Sequence, residues 1–239
     1  LNIVTPNIEM NVNLLEQAWR NSVNKFVFIS SSTVYPDIGS KYCTEDIDVN
    51  AFGLVPVYKA VGGMKRYTEN LCEFFSNQLH NPMQCVIIRP GNAYGPWDKF
   101  DYEKCHVTPA SVRKVADALD PIPVWGDGSD MRDIIYIEDL IDGIVFVAEK
   151  IKSYDILNIC HGDAVSVNDI LNMLKDIANS TAEIQHGINK AFMMTERRLS
   201  NKKAEKLGWK PSYTVYQGLE KTLEWYIDNK FRFNPDSRL

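Results

Sequence analysis

The chain has 239 residues, 45% of them hydrophobic, and a net charge of -5, enough to bury one core, or one core with a smaller lobe, without disulfide staples. Acids and bases are interspersed with no long basic run, so no electrostatic footprint for nucleic acid is evident and none is expected as a partner, and no apolar stretch approaches the roughly 20 residues that span a bilayer. The five cysteines, Cys43, Cys72, Cys85, Cys105 and Cys160, are scattered, odd in number and never spaced C-x-x-C, a usage that fits a reducing cytoplasmic setting, argues against a structural zinc and leads us to expect no metal.

In chain order, Met10, Leu14, Leu15 and Ala18 repeat at helical spacing between Ile8 and Trp19, and the apolar run Lys25 to Ile29 reads as a buried strand. Met64, Tyr67, Leu71, Phe74, Phe75 and Leu79 predict a second helix, followed by the apolar strand Cys85 to Ile88. A helix leading into a fully apolar strand, twice over, predicts a parallel sheet with helices on both faces. After Arg89 the texture changes: Pro90, Gly91, Gly95 and Pro96 crowd a loop before a helix expected from about Thr108 to Leu119. Strands are expected over Ile122 to Trp125 and Ile134 to Ile137, then a helix marked by Ile141, Ile144, Val145 and Ala148. Ser166 with Asp169 has the form of a capping box opening another helix. Gly208 and Pro211 stop a further helix, and Leu219, Leu223, Tyr226 and Ile227 define the last.

In an open parallel sheet, ligands sit beyond the carboxyl ends of the strands. Two such ends stand out: Ser30-Ser-Ser-Thr-Val-Tyr-Pro36, a run of hydroxyls, and Arg89-Pro-Gly-Asn-Ala-Tyr-Gly-Pro96, where glycine permits close backbone approach. A serine run after a strand is also a common turn or cap.

These two segments, together with Trp125-Gly-Asp-Gly, Arg132-Asp-Ile-Ile-Tyr-Ile-Glu-Asp139 and Leu207-Gly-Trp-Lys-Pro211, occur in an order that resembles the nucleotide-sugar epimerase, dehydratase and reductase family of extended short-chain dehydrogenases. Gly95-Pro-Trp-Asp-Lys-Phe100 and Cys105-His-Val-Thr-Pro109 are most similar to its GDP-fucose synthase group. The resemblance implies a Rossmann-like α/β fold with its N-terminal strands missing and a small C-terminal α/β lobe. Residues 1-90 would be a partial NAD(P)-binding domain and 91-239 mainly the substrate lobe, with 134-160 returning to the Rossmann sheet. It implies an NAD or NADP cofactor, a nucleoside-diphosphate sugar as ligand, chemistry at the sugar C4 and a homodimer built on helices 10-19 and 65-79. The glycine-rich dinucleotide fingerprint is not found, so the chain is expected to be N-terminally truncated.

Carried over residue by residue, Ser31 matches the active-site serine, and a hydroxyl there stabilises charge developing on the C4 oxygen. Ser30, Arg89 and Pro90 are expected along the cofactor. The family's proton carrier is a tyrosine in Tyr-x-x-x-Lys, and here the pattern breaks. Tyr58 is followed four positions on by Gly62, and Lys65, with Glu69 in the family's acidic place, is preceded at that spacing by Val61. Either Tyr58 and Lys65 reach one ligand through an irregular helix entry at Gly62-Gly63, or the relay is lost and the protein is a non-catalytic sugar-nucleotide-binding or regulatory protein. His106 matches an acid of epimerisation. Its partner cysteine is replaced by Thr33, whose hydroxyl is too weak an acid to provide a base at a carbon beside a ketone. Arg113, Lys114 and Arg132 fall where the diphosphate is clamped, and Thr33, Asn92 and Trp125 fall at sugar or nucleotide contacts. Arg197-Arg198 reads equally as a solvated face or a phosphate contact.

Overall fold

The computed structural model describes residues 3-188 and 196-232. Helix α1 (Val4–Arg20) leads into β1 (Lys25–Ile29), then β2 (Tyr42–Cys43), α2 (Lys59–Asn77), β3 (Gln84–Pro90) and β4 (Asn92–Tyr94). There follow α3 (Val107–Ala116), β5 (Ile122–Trp125), β6 (Met131–Arg132), β7 (Ile134–Tyr136), α4 (Ile137–Lys150) and β8 (Asp155–Ile159). The chain continues through β9 (Val165–Ser166), α5 (Val167–Ile177), β10 (Ile184–Ile188), β11 (Glu196–Leu199), α6 (Lys202–Leu207) and α7 (Val215–Asn229).

The sheet of the first lobe runs β1-β3-β8, all parallel, with Ile29 beside Ile88 and Ile88 beside Leu157. Its strands are apolar on both faces because both are covered. On one face Phe28, Cys85 and Ile87 pack with Leu15 and Cys72 from α1 and α2; on the other Val86, Ile88 and Leu157 pack with Leu140 and Val147 from α4 and Ala204 from α6. Lys25 ties β1 to the end of α4, its Nζ donating to the carbonyls of Ala148 and Ile151, as a cation at a helix C-terminus does. Within 134-160, β8 lies beside β3 and α4 covers it, whereas β7 pairs in parallel with β4.

The second lobe has its own core, in which Val112, Ile122, Leu171, Leu174, Leu219 and Tyr226 converge from α3, β5, α5 and α7 with Phe100 from the loop before α3. The short strands form small sheets ordered β10-β5 and β2-β11-β6-β9, the latter joining β2 of the N-terminal part to strands from later in the chain. Helix α5 starts on the capping box of Ser166 and Asp169, and α7 on a second one of Thr214 and Gln217. Helix α3 stops at Ala116, three residues before the expected end, because Ala118 turns to φ 52°. Among the described residues no helix is long and apolar enough to cross a membrane. All five cysteines are free thiols.

Candidate active site at the carboxyl ends of β1 and β3

The hydroxyl run after β1 becomes a 3-10 turn over Ser32–Val34, with Ser31 as its N-cap. Ser31 Oγ accepts from the Thr33 amide at 3.1 Å and from Thr33 Oγ1 at 2.9 Å. With both lone pairs engaged, the serine keeps its own O–H to donate outward. Helix α2 docks directly on this turn: a Cβ at Gly62 would lie 2.6 Å from the Thr33 carbonyl oxygen. Glycine is required there for the approach.

That docking brings Lys65, one turn further along α2, to the strand end. Its Nζ donates to the Ile29 carbonyl at 2.7 Å and lies over the Phe28 ring. Desolvation lowers the Lys65 pKa, against the opposing pull of Glu69. Tyr58 closes a 3-10 turn, Pro56–Tyr58, that feeds into α2. The entry is therefore irregular, as the glycine pair suggested, but the irregularity precedes the glycines.

Beneath the site lies a buried polar network. Ser30 Oγ donates to Glu69, and Arg89 grips the same carboxylate with Nε at 3.1 Å and Nη2 at 2.6 Å. Arg89 also lies over the Tyr35 ring, whose hydroxyl donates to Asn158 at 2.8 Å. Arg89 is 1% exposed and Ser30 4% exposed. Both were expected along the cofactor; here they support the strand ends from below, while Pro90 ends β3 half-buried beside Ile159.

The remaining candidates line the second lobe. His106 is an exposed N-cap of α3. Asn92 is exposed on β4, its amide donating to the Asp133 carbonyl at 2.8 Å. Trp125 ends β5 with 60% of its surface exposed. Arg113 is engaged by Asp117 at 3.2 Å and the Phe100 carbonyl at 2.8 Å. Lys114 Nζ donates to the Pro123 carbonyl at 2.7 Å, and burial lowers its pKa. Arg132 sits on β6 beside Asp130 at 3.5 Å. No hydrogen bond or ion pair among the described residues joins His106, Asn92 or Trp125 to the Ser31 cluster.

Against known proteins, residues 1-160 match the NAD dependent epimerase/dehydratase family. The chain belongs to this family. It is 29% identical over 230 residues to a GDP-L-fucose synthase of Sinorhizobium fredii, covering 93% of this chain and 71% of that protein. It is 25% identical over 234 residues to a probable GDP-L-fucose synthase of Oryza sativa, covering 95% and 70%. The solved structure of a GDP-L-fucose synthetase from Naegleria fowleri superposes with a TM-score of 0.84 at 25% identity, over 94% of this chain and 71% of that one.

The family's nicotinamide cofactor fits the donors present at one end only. Lys65 Nζ, with N–H groups left after Ile29, and Ser31 can meet the ribose and nicotinamide; the described chain presents no glycine-rich turn for the pyrophosphate. One residue of consequence escaped the sequence and another was undecided by it. Asp133, fully buried, accepts from the amides of His161 at 3.0 Å and Gly162 at 2.9 Å, joining the loop after β8 to β7. Arg197, left open between solvated face and ligand contact, is 6% exposed and stands beside Arg132 in the β11–β6 pair. Its placement on alternate positions of a strand reading Glu196-Arg-Arg-Leu199 was the available signal.

Proposed function

We propose that this chain is an NAD(P)-dependent nucleotide-sugar epimerase/reductase working at C4 of a GDP-4-keto-6-deoxy sugar or a related sugar nucleotide. The observation that carries the reading is the Lys65 Nζ on the Ile29 carbonyl, two residues before a serine whose acceptor positions are filled from Thr33. A cation and an outward hydroxyl thus share one strand end, the place where a parallel sheet offers its ligand crevice. The nicotinamide, when bound, supplies or takes the hydride. Ser31 donates to the C4 oxygen and stabilises the charge that gathers there. Tyr58, at the mouth of α2, is the proton carrier, and Arg132, with Asn92, Trp125, Arg113 and Lys114 from the second lobe, holds the sugar nucleotide.

Thr33 donates its hydroxyl to Ser31 and supplies no base for deprotonation beside the ketone. The reading therefore favours 4-keto reduction over double epimerisation, with His106 as a flanking acid. Residues 1-90 form the partial NAD(P)-binding part and 91-239 mainly the substrate part; two copies associate through α1 and α2.

The test is nicotinamide oxidation by the complete gene product, given NADPH or NADH and GDP-4-keto-6-deoxymannose in deuterated water. Oxidation without deuterium entering C3 or C5 is the expected result. Ser31→Ala should lower kcat by about 10²–10³-fold, the range for losing one such donor, with unchanged thermal unfolding. Normal turnover in that variant would overturn the role of Ser31. Tight GDP-sugar binding with no oxidation by the wild type would instead establish the non-catalytic binding protein.

A further inference from the structure

Reducing a ketone by hydride requires a proton for the resulting alkoxide. At this strand end Val61 and Gly62 carry no acid, Thr33 is bonded to Ser31, and the Tyr35 hydroxyl is buried on Asn158. Tyr58 is half-buried and its hydroxyl makes no hydrogen bond among the described residues. A cation approaches its ring from β11. Arg197 of β11 places Cζ 5.8 Å from the Tyr58 ring centroid.

The guanidinium carries an unmet donor, as those of Arg66 and Arg89 do, but it alone of the three lies against the Tyr58 ring. It is 6% exposed, its Nη1 donates to the Tyr35 carbonyl at 3.3 Å, and its Nη2 is buried with no hydrogen-bond partner. Arg132 stands beside it in the strand pair, burial works against its charge, and its neighbours include the Cys43 thiol. A buried cation with an open N–H is costly unless an anionic atom arrives to meet it.

We propose that Arg197 is the positioning residue for Tyr58, and that this pair, rather than a tyrosine and lysine one turn apart on α2, forms the proton-delivery unit. The inference rests on the C4 reductase reading above. The Tyr58 hydroxyl gives its proton to the C4 oxygen as hydride reaches C4, leaving a phenolate; the open Nη2 of Arg197 meets that new charge, and a proton from solvent returns the phenolate to the phenol. Lys65, turned to Ile29, is left to the cofactor side.

The experiment uses the complete gene product with Tyr58→Phe, Arg197→Met, Arg197→Lys and the Tyr58→Phe/Arg197→Met double variant. Loss of a positioned acid lowers kcat by about 10²–10⁴-fold, so Tyr58→Phe and Arg197→Met should each fall in that range, with KM for the sugar nucleotide changed by less than about threefold. Arg197→Lys should recover part of the loss, and the double variant should be no slower than the slower single one. Two further measurements do not depend on turnover. GDP affinity by calorimetry should be unchanged in Arg197→Met, and the ¹⁹F resonance of 3-fluorotyrosine at position 58 should move in Arg197→Met and return toward the wild type in Arg197→Lys. If Arg197→Met weakens GDP binding more than tenfold and leaves the Tyr58 resonance in place, Arg197 is a phosphate ligand and the proposal falls. Multiplicative losses in the double variant also overturn it. A wild type that oxidises no nicotinamide, with the resonance still responding to Arg197, would sink the reductase reading while leaving the Tyr58–Arg197 contact standing.

Discussion

Asp133 combines complete burial with two backbone amides on its carboxylate, and burial wins: its pKa rises to about 7. An unfolded aspartate titrates near 3.9. The folded protein therefore keeps a proton there that the unfolded chain has already lost. The stabilisation from that proton is fully present below about pH 4 and is lost as the pH rises to about 7, at about 1.4 kcal/mol per pKa unit and so a few kcal/mol at most. Asp133→Asn removes the titration while sharing every other one. The difference in urea midpoint between wild type and variant should move against the wild type between pH 5 and pH 8. Parallel midpoints over that interval would mean that the carboxyl is already ionised at pH 5.

At the scale of elements, the contact of α2 with the turn after β1 sets the site, and two adjacent glycines separate its causes. A Cβ at Gly62 would stand 2.6 Å from the Thr33 carbonyl oxygen and 2.8 Å from Leu54 Cδ2, whereas one at Gly63 would meet only Leu54 Cδ1 at 3.5 Å. In an open helix, alanine is worth up to about 1 kcal/mol over glycine. Gly63→Ala should gain a few tenths to about 1 kcal/mol in a urea melt. Gly62→Ala must move backbone and should cost about 1–3 kcal/mol, with kcat falling alongside because the displaced turn carries Ser31. Equal effects at the two positions would show that α2 yields at no cost to the turn.

The same contact marks where the sequence stops being readable. Helices α1, α2, α5 and α7 and strands β1 and β3 were legible because each buries a long periodic or fully apolar run, and Ser166 announced its helix by its own cap. The strands β2, β6 and β9 have two residues each, too few for any period to register. Ser31 and Lys65 could be placed at a strand end and on a helix, but Lys65 reaches Ile29 only through packing across 36 positions of sequence. Arg89 shows a partner that its strand-end position did not announce: Glu69 on α2, visible in the sequence as an acid four residues after Lys65, takes its Nε and Nη2.

At the scale of the whole molecule, helices α1 and α2 cover the sheet with one face each and leave apolar side chains on the other. Met10 and Leu14 are 49% and 51% exposed, Tyr67 and Phe74 are 50% and 41% exposed, and between the helices runs a groove lined by Val12, Trp19, Leu71 and Phe75. The sequence stripes assigned to this face thus divide: Leu15 and Cys72 go to the core, while Leu14 and Tyr67, turned about 100° and 140° away around their helices, stay exposed. The proposed two-fold pairing would use this exposed apolar face, and stable pairing buries about 1,200–2,000 Å² in total. Leu14→Asp with Phe74→Glu places two charges on that face of each copy while leaving Leu15 and Cys72 in the core. Sedimentation equilibrium should show the wild type at twice the chain mass and the double variant at the single-chain mass, with unchanged far-UV dichroism. A wild type that sediments as a single chain at tens of micromolar would remove this face as the dimer contact, and one that stays dimeric after both substitutions would place the contact elsewhere.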